Sequence, residues 1–537
     1  MPGRGSQFKS LPKRHIRRTK FNLSHERRLT CDPFYLIPIL VEDCIPGDHW
    51  NIGNELIVRC NPLITPIMHE INAFIHYYFV PYRILWDDWE DFITGGRDGK
   101  FTKDLPFTMN LNPATEGLDP FSSGDQGSLF EHLYCFTVNT INGNPDSMMA
   151  APLAFPKRAY NMIYNEFYRD QNLQEEIDIE KFTSPITKDL HIRCWEKDYF
   201  TSMLPWQQRG EAPAFPIQGI LNAQFQAPTG INNAALLPGI NGLTAHLLEN
   251  GIAASGLNTN PISLTAAPDV GARFKNYLDR NTINMQDAVT FGVSELRLGF
   301  QIQRFLERMA RTGSRYTEYL RGIFNAYPRD DRLQRPEYLG GSKSPVIISE
   351  VLQTSSSNST SPQANMAGHG IIADRTFCCS YRVQEHGCIL GILSIMPRSM
   401  YQQGMDRVWT RRSRFDFYLP EFAHLSEQAV YPYEIYNRIN APNVILGYQG
   451  RFDEYRFKRN TVHGLFRDDL DFWHMGRKFA THPQLNLDLI RPSISEIQSL
   501  KRVLAVPSED MFLVSIGNKC HVTRPLPWIA IPGLIDH

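Results

Sequence analysis

The amino-acid sequence predicts an all-β fold, a β-sandwich with long inserted loops and a few helices. Of its 537 residues, 12% are aromatic, including 32 Phe and 22 Tyr, and aromatic side chains favour strands. Gly and Pro, at 36 each, mark frequent turns. Short apolar runs end at these turn residues and are separated by long polar stretches. Short strands joined by long loops are typical of a sandwich.

Eight segments carry the strand signal, and several lack a clean alternation of apolar and polar residues. That texture indicates strands that are buried on both faces. The predicted strands lie at residues 34–41, 55–59, 71–80, 346–348, 375–383, 388–396, 415–418 and 511–516.

Two helices are predicted from apolar residues that recur at helical spacing. The first stripe, with Pro156 near its start, consists of Tyr160, Ile163, Tyr164 and Phe167. The second stripe consists of Leu298, Ile302, Phe305, Leu306 and Met309. Ser294 is its candidate N-cap and Gly313 its candidate stop. The arginines around this second stripe are interpreted as a solvated helix face.

Charge is concentrated at the start of the chain. The formal net charge is −1, whereas residues 1–28 carry a charge of +8, so the rest of the chain is acidic. The basic residues of this segment are Arg4, Lys9, Lys13, Arg14, Arg17, Arg18, Lys20, Arg27 and Arg28. Residues 1–30 are therefore predicted to form a basic arm that binds nucleic acid locally. The alternative is a disordered tail that only increases solubility.

A second unusual segment begins at Gly210. Up to Ala272 it contains no Lys or Arg, and its only acids are Glu211, Glu249 and Asp269. We interpret residues 210–275 as a surface insertion, because loops of this length are rare in compact domains without a role. Several of its apolar side chains are expected to pack at contacts between subunits: Phe215, Ile217, Ile220, Leu221 and Phe225. Residues 31–209 and 276–537 would then form the two parts of one discontinuous sandwich.

The sequence contains no complete motif for catalysis, metal binding or cofactor binding. His69-Glu70 begins a zinc-protease pattern, but Ala73 stands where the second His is needed. The acidic group Asp87 to Asp91 is flanked by Trp and Phe, which favours an amphipathic turn over a metal or glycosidase site. The sequence therefore predicts a protein that is not an enzyme and has no cofactor.

Nine Cys at irregular spacing indicate reduced thiols in a protein made in a cytosol. The basic start lacks the apolar core of a signal peptide. The longest apolar run, residues 388–396, is too short to span a bilayer, so no membrane insertion is expected.

A series of longer motifs runs along the chain: YYFVP at 77–81, LWDDWE at 85–90, RAYNMIYNEFYRDQNL at 158–173, RLQRPEYLGG at 332–341, QTS at 353–355, EHG at 385–387, YQQG at 401–404, FYLPEF at 417–422, GYQ at 447–449, EYR at 454–456 and Thr523 to Pro525. In this order, and over most of the chain, they resemble the major capsid protein of microviruses, above all of the gokushovirus branch. Residues 100–150 and 210–275 match poorly, as does the basic arm in detail.

This resemblance implies a jelly-roll sandwich of two sheets, many copies of which form a small icosahedral (T=1-like) shell around circular single-stranded DNA. It implies a virion protein assembled in a bacterial cytoplasm. The expected partners are further copies of the chain, the genome, small DNA-binding and scaffolding viral proteins, and a host receptor. Gokushovirus-type capsid proteins carry a large inserted loop, so residues 210–275 are expected to contribute to host attachment.

Two other classes of protein remain as alternatives. A secreted bacterial β-sandwich that binds or hydrolyses glycans would share the strand pattern, but the unpaired Cys count and the absent signal peptide argue against it. A sequence-specific DNA-binding regulator would need a helix-turn-helix or zinc motif and a more basic chain. The size of the purified particle separates all three.

Overall fold

The computed structural model describes most of the chain: residues 18–94, 101–107, 127–134, 152–180, 190–210, 293–312, 334–352, 354, 366–438 and 444–529. Strands dominate the described residues. They are β1 Thr19–Asn22, β2 His25–Cys31, β3 Ile37–Cys44, β4 His49–Cys60, β5 Ile71–Pro81, β6 Glu337–Pro345, β7 Ile347–Leu352, β8 Met366–Arg382, β9 Gly387–Pro397, β10 Glu427–Val430, β11 Gly447–Gly450 and β12 Phe512–Arg524.

Two antiparallel sheets form the sandwich. The first has the order β1-β12-β4-β8-β7, with β2 also pairing with β12, and the second has the order β3-β9-β5-β6. From β2 to β5 successive strands alternate between the sheets, and β12 returns to pair with β2. The prediction of an all-β sandwich is confirmed.

The first sheet has one face in the core. Along β4 and β12, buried and accessible side chains alternate, as expected for strands with one buried face. Trp50, Ile52, Leu56 and Val58 of β4 point inward to a core cluster that also contains Ile75 and other residues of the second sheet. This shared cluster holds the two sheets together.

The second sheet is covered on both faces. Every residue of β9 is buried, and so is every residue of β5 except His76, which is partly buried. A second cluster, with Tyr78, Leu390, Phe155 and Tyr160, fills the space between this sheet and the helix that begins at Phe155. The continuous apolar runs of β5 and β9 therefore reflect burial on both faces, as the sequence predicted.

The described α-helices are few. They are α1 Trp89–Thr94, α2 Leu129–Tyr134, α3 Phe155–Ile163, α4 Val293–Thr312, α5 Leu487–Ile490 and α6 Ile494–Leu500. Both predicted helices are confirmed as α3, extended by the turn Tyr164–Tyr168, and as α4. Ser294 lies inside α4 rather than at its N-cap, and Gly313 follows the last residue of the helix.

Two sequence predictions need correction. The strand predicted at 415–418 is wrong, because a 3₁₀ turn occupies Arg414–Asp416, with Ser413 and Asp416 forming a capping box. The boundary of the basic arm at residue 30 falls inside strand β2, because residues 19–31 pair with β12 rather than remaining outside the sheet. Cross-strand hydrogen bonding overrides the weak local signal of this polar segment.

The chain divides into two compact units. One comprises residues 1–209 and 306–537, and the other comprises Gly210–Phe305. The second unit contains the predicted insertion, whose residues 211–275 lie outside the described part of the chain, as do Phe215, Ile217, Ile220, Leu221 and Phe225.

Candidate nucleic-acid interface

The start of the chain leads directly into the first sheet. Of the basic residues predicted to bind nucleic acid, Arg4, Lys9, Lys13, Arg14 and Arg17 lie outside the described residues. Arg18 is exposed just before β1. From there β1 and β2 run antiparallel to β12 at one side of the first sheet.

The strand register places six basic side chains on the face of this sheet that points away from the core. Directly paired residues share a face, so the pairings Lys20↔Thr523↔His49↔Arg382 form one cross-strand row. Parallel rows contain the other basic residues. We call the six residues together the basic face: Lys20, Arg28, Arg59, Arg375, Arg382 and Lys519.

All six side chains are exposed, and the described residues leave this face open. Two carboxylates lie among them. Glu55 pairs with Arg375 at 3.3 Å and with Lys519 at 3.2 Å, and Glu26 lies 3.7 Å from Arg28. These surface pairs contribute little to stability and hold the cations only loosely. The strand residues of the basic face therefore carry an excess of four positive charges.

A β-bulge adds an aromatic ring to the same face. The register between β4 and β8 shifts at Ile52/Gly53, and it brings Phe377 beside Gly53. The ring of Phe377 is 68% exposed. On the other side of Gly53 stands Lys519. Any Cβ at Gly53 would lie 2.9 Å from the Thr376 carbonyl oxygen, so a glycine is required here. Lys519 and Phe377 therefore lie on either side of the buried Gly53.

Arg27 lies on the opposite side of β2 from Arg28. Its guanidinium donates a 2.9 Å hydrogen bond to the carbonyl oxygen of His132, at the end of α2. This residue fixes α2 against the sheet, and we leave it out of the basic face.

Sequence reasoning missed Arg59, Arg375, Arg382 and Lys519. They lie on three strands that are more than a hundred positions apart in the sequence, and only the pairing of β4, β8 and β12 brings them together. The available signal was the alternation of basic and apolar residues within each predicted strand, for example Arg59 after Ile57.

The described residues were also searched for metal sites and for membrane-spanning helices. No group of three His, Cys, Asp or Glu there could hold a metal ion. None of the helices in the same ranges is long and apolar enough to cross a membrane.

Comparison with known proteins identifies the family. Residues 9–534 match the family described as "Capsid protein (F protein)". The chain is 33% identical to the "Capsid protein VP1" of Chlamydia phage 1, over 98% of both chains. It is 32% identical to the protein of the same name from Bdellovibrio phage phiMH2K, over 92% of this chain and 91% of that one. The corresponding protein of Spiroplasma virus 4 is 28% identical, over 97% and 96%.

These relatives are structural proteins of virions, not enzymes, and the resemblance to microvirus capsid proteins is confirmed. With two packed antiparallel sheets and a family match over nearly its whole length, the chain belongs to the phage capsid F protein family and is a major capsid protein.

Proposed function

We propose that copies of this chain assemble into a small icosahedral, T=1-like shell whose basic face lies against a circular single-stranded DNA genome. The observation that supports this orientation is the excess of positive charge on the open face of the first sheet. The basic residues that precede Arg18 enter the fold at the edge of the same sheet. Arm and face would therefore act on one side of the shell.

The contact is electrostatic and independent of base sequence. Cations that neutralise phosphates release condensed counterions, which makes binding fall steeply as salt rises. Bases of an unpaired strand also stack on aromatic rings. Phe377 offers such an exposed ring on the same face as Lys519, across Gly53.

The test replaces four cations of the basic face, Arg59, Arg375, Arg382 and Lys519, with Gln. For a single strand each lost phosphate contact lowers the slope of log affinity against log salt by about 0.7, so four lost contacts lower it by roughly 3. Binding of a poly-dT oligonucleotide to the unassembled full-length protein, measured by fluorescence anisotropy at several salt concentrations, gives this slope.

A matched control changes four exposed arginines outside the two sheets, Arg412, Arg414, Arg438 and Arg456, to Gln. The control should keep the native slope. If the variant of the basic face keeps it as well, that face does not contact the genome.

The basic arm is tested separately by deleting residues 2–17, which stops short of strand β1. We expect less DNA per particle and a weaker dependence of binding on salt. Unchanged values would make the arm a solubilising tail.

We further propose that residues 210–275 project from the outer surface and contribute to attachment to the host. Residues 210–272 contain no Lys or Arg, which makes contact of this part with DNA unfavourable. Replacing residues 212–270 with a short Gly/Ser linker should leave particles that no longer adsorb to cells. Normal adsorption would refute the attachment role.

Assembly in the bacterial cytoplasm, with small DNA-binding and scaffolding proteins as partners, completes the proposal. Eight of the nine Cys lie in the described residues; none of the eight is in a disulfide and seven are buried. Burial raises the pKa of the thiols of Cys31 and Cys44 well above the usual value, which keeps them protonated and unreactive. Such thiols are compatible with a reducing compartment.

A further inference from the structure

A cavity of about 1010 Å³ lies on the outer side of the second sheet, away from the basic face. His76 and Tyr78 of β5 and Tyr338 and Lys343 of β6 form its floor. Three loop segments form its walls, at residues 193–198, 398–399 and 458–460. Its size is sufficient for a small organic ligand.

Positive charge dominates the walls. Of the described residues that line the cavity, seven are Lys or Arg and three are Asp or Glu. Arg193 is held by neutral groups: its guanidinium lies 4.3 Å from the ring centre of Phe74 and donates to the Ser394 hydroxyl at 2.7 Å. This arrangement orients a cation without neutralising it.

Two of the three lining carboxylates, Asp198 and Glu196, are engaged by other groups of the protein. Asp198 accepts hydrogen bonds from the backbone N–H groups of Phe200 at 2.9 Å and Thr201 at 2.8 Å, and from the Tyr401 hydroxyl at 2.7 Å. Glu196 pairs with Lys343 at 3.3 Å. Carboxylates next to the lining also pair with its cations, Asp170 with Lys197, Glu70 with Arg398 and Asp406 with Arg459. The lining residues and these partners together therefore carry an excess of one positive charge.

Aromatic rings line the floor next to these cations. Tyr338 is 44% exposed, and its ring centre lies 5.5 Å from that of Tyr78 and 5.9 Å from that of His76. Arg335 lies over the ring of Phe167 at 5.4 Å. Burial lowers the pKa of His76 to about 4, so its ring is neutral at neutral pH. Cations beside an accessible ring match a ligand with a phosphate and a planar base.

We propose that this cavity binds a nucleoside phosphate, with the phosphate against Arg193, Arg335 and Lys343 and the base on Tyr338. The cavity and the basic face belong to different sheets, so the source is a free nucleotide of the host cytosol rather than the packaged strand. Such a ligand would bridge β6 and the loops around Arg193 and Lys458. The choice of a free nucleotide over the packaged strand rests on the genome contact proposed above, whereas the cavity itself shares no residue with the basic face.

The test titrates the unassembled full-length protein with AMP, with inorganic phosphate and with a dT₁₀ oligonucleotide, by calorimetry. Tyr338→Ala should weaken AMP binding about tenfold, because a stacked base is lost. Tyr338→Phe should retain the affinity. Lys343→Gln should weaken AMP and phosphate together. Tyr418→Ala, at a ring that is 52% exposed but outside the cavity, is the matched control and should bind AMP normally.

Each outcome decides the proposal. AMP binding that depends on Tyr338 and Lys343, and exceeds that of phosphate, supports it. Equal binding of AMP and phosphate overturns it, because the base is then not recognised. Binding of dT₁₀ alone overturns the free nucleotide as source. No binding of any probe overturns the ligand class.

Discussion

Removing Glu496 from its ion pair with Arg477 should lower the free energy of unfolding more than removing Arg477 does. Arg477 is only 2% exposed, and its Nε lies 2.9 Å from Oε1 of Glu496. Its guanidinium also donates to the Leu489 carbonyl oxygen at 2.8 Å and lies 5.0 Å from the ring centre of Trp195. The Glu496 side chain is 21% exposed, at the start of helix α6.

Glu496→Ala leaves a buried guanidinium with the Leu489 carbonyl oxygen and the Tyr401 hydroxyl as neutral partners, and breaking a buried pair in this way costs about 3–5 kcal/mol. Arg477→Met leaves a carboxylate that can reach water and is favoured by the helix N-terminus, so we expect a cost of about 1–3 kcal/mol. The double variant should cost less than the sum of the single variants, because it contains neither of the unpaired charges that the single variants leave behind.

Urea denaturation of the unassembled protein, followed by intrinsic fluorescence, gives the three free energies of unfolding. Glu496→Gln is the control, since it keeps the shape and one acceptor oxygen; it should cost less than Glu496→Ala. The reasoning is refuted if Arg477→Met proves as costly as Glu496→Ala, or if the two single changes are additive.

Three further predictions concern the sandwich and its pH dependence. Gly391→Val should prevent native folding, measured by circular dichroism and solubility, because a Cβ at this position would lie 2.7 Å from the Tyr77 ring; Ile389→Val on the same strand, which removes one methylene group and should still fold, is the control. Tyr160→Phe should cost about 1–3 kcal/mol in urea, because the hydroxyl donates to the buried Leu36 carbonyl oxygen at 2.8 Å; a loss below 0.5 kcal/mol, roughly the scatter of neutral changes, would contradict this. Burial lowers the pKa of His69 to about 4, below the unfolded value of about 6.5, so the native protein should lose stability as pH falls from 6.5 to 4; the deficit of His69→Gln measured at pH 7 should therefore shrink by roughly 3 kcal/mol at pH 4, and a constant deficit would contradict it.

The sequence was sufficient to predict the strands that are buried on both faces. β5 and β9 lie within one residue of their predicted bounds, because continuous apolar runs need no knowledge of the partner strand. The helix α3 could be predicted equally well, from its apolar residues at helical spacing. The strands β1, β2 and β6 were not predicted, since their polar residues gain strand structure only from pairing with β12 and β5.

The same reason limited prediction of the candidate interface. The arm was visible as a local excess of charge, whereas the basic face depends on a register that places Arg59 beside Leu513 and Arg375 beside Glu55. Composition records how many cations a chain has, but only the pairing of distant strands determines which of them share a surface.

The position of β12 has a consequence for protein synthesis. This strand fills the gap between β4 and the pair β1 and β2, yet it follows β4 by about 450 residues. At about 5–20 residues per second the ribosome needs roughly 20 to 90 s to reach it after β4 emerges. Through that interval one edge of β4 has no native partner and invites pairing with other nascent chains. We therefore expect chaperones to hold the growing polypeptide, and only released chains to enter a shell.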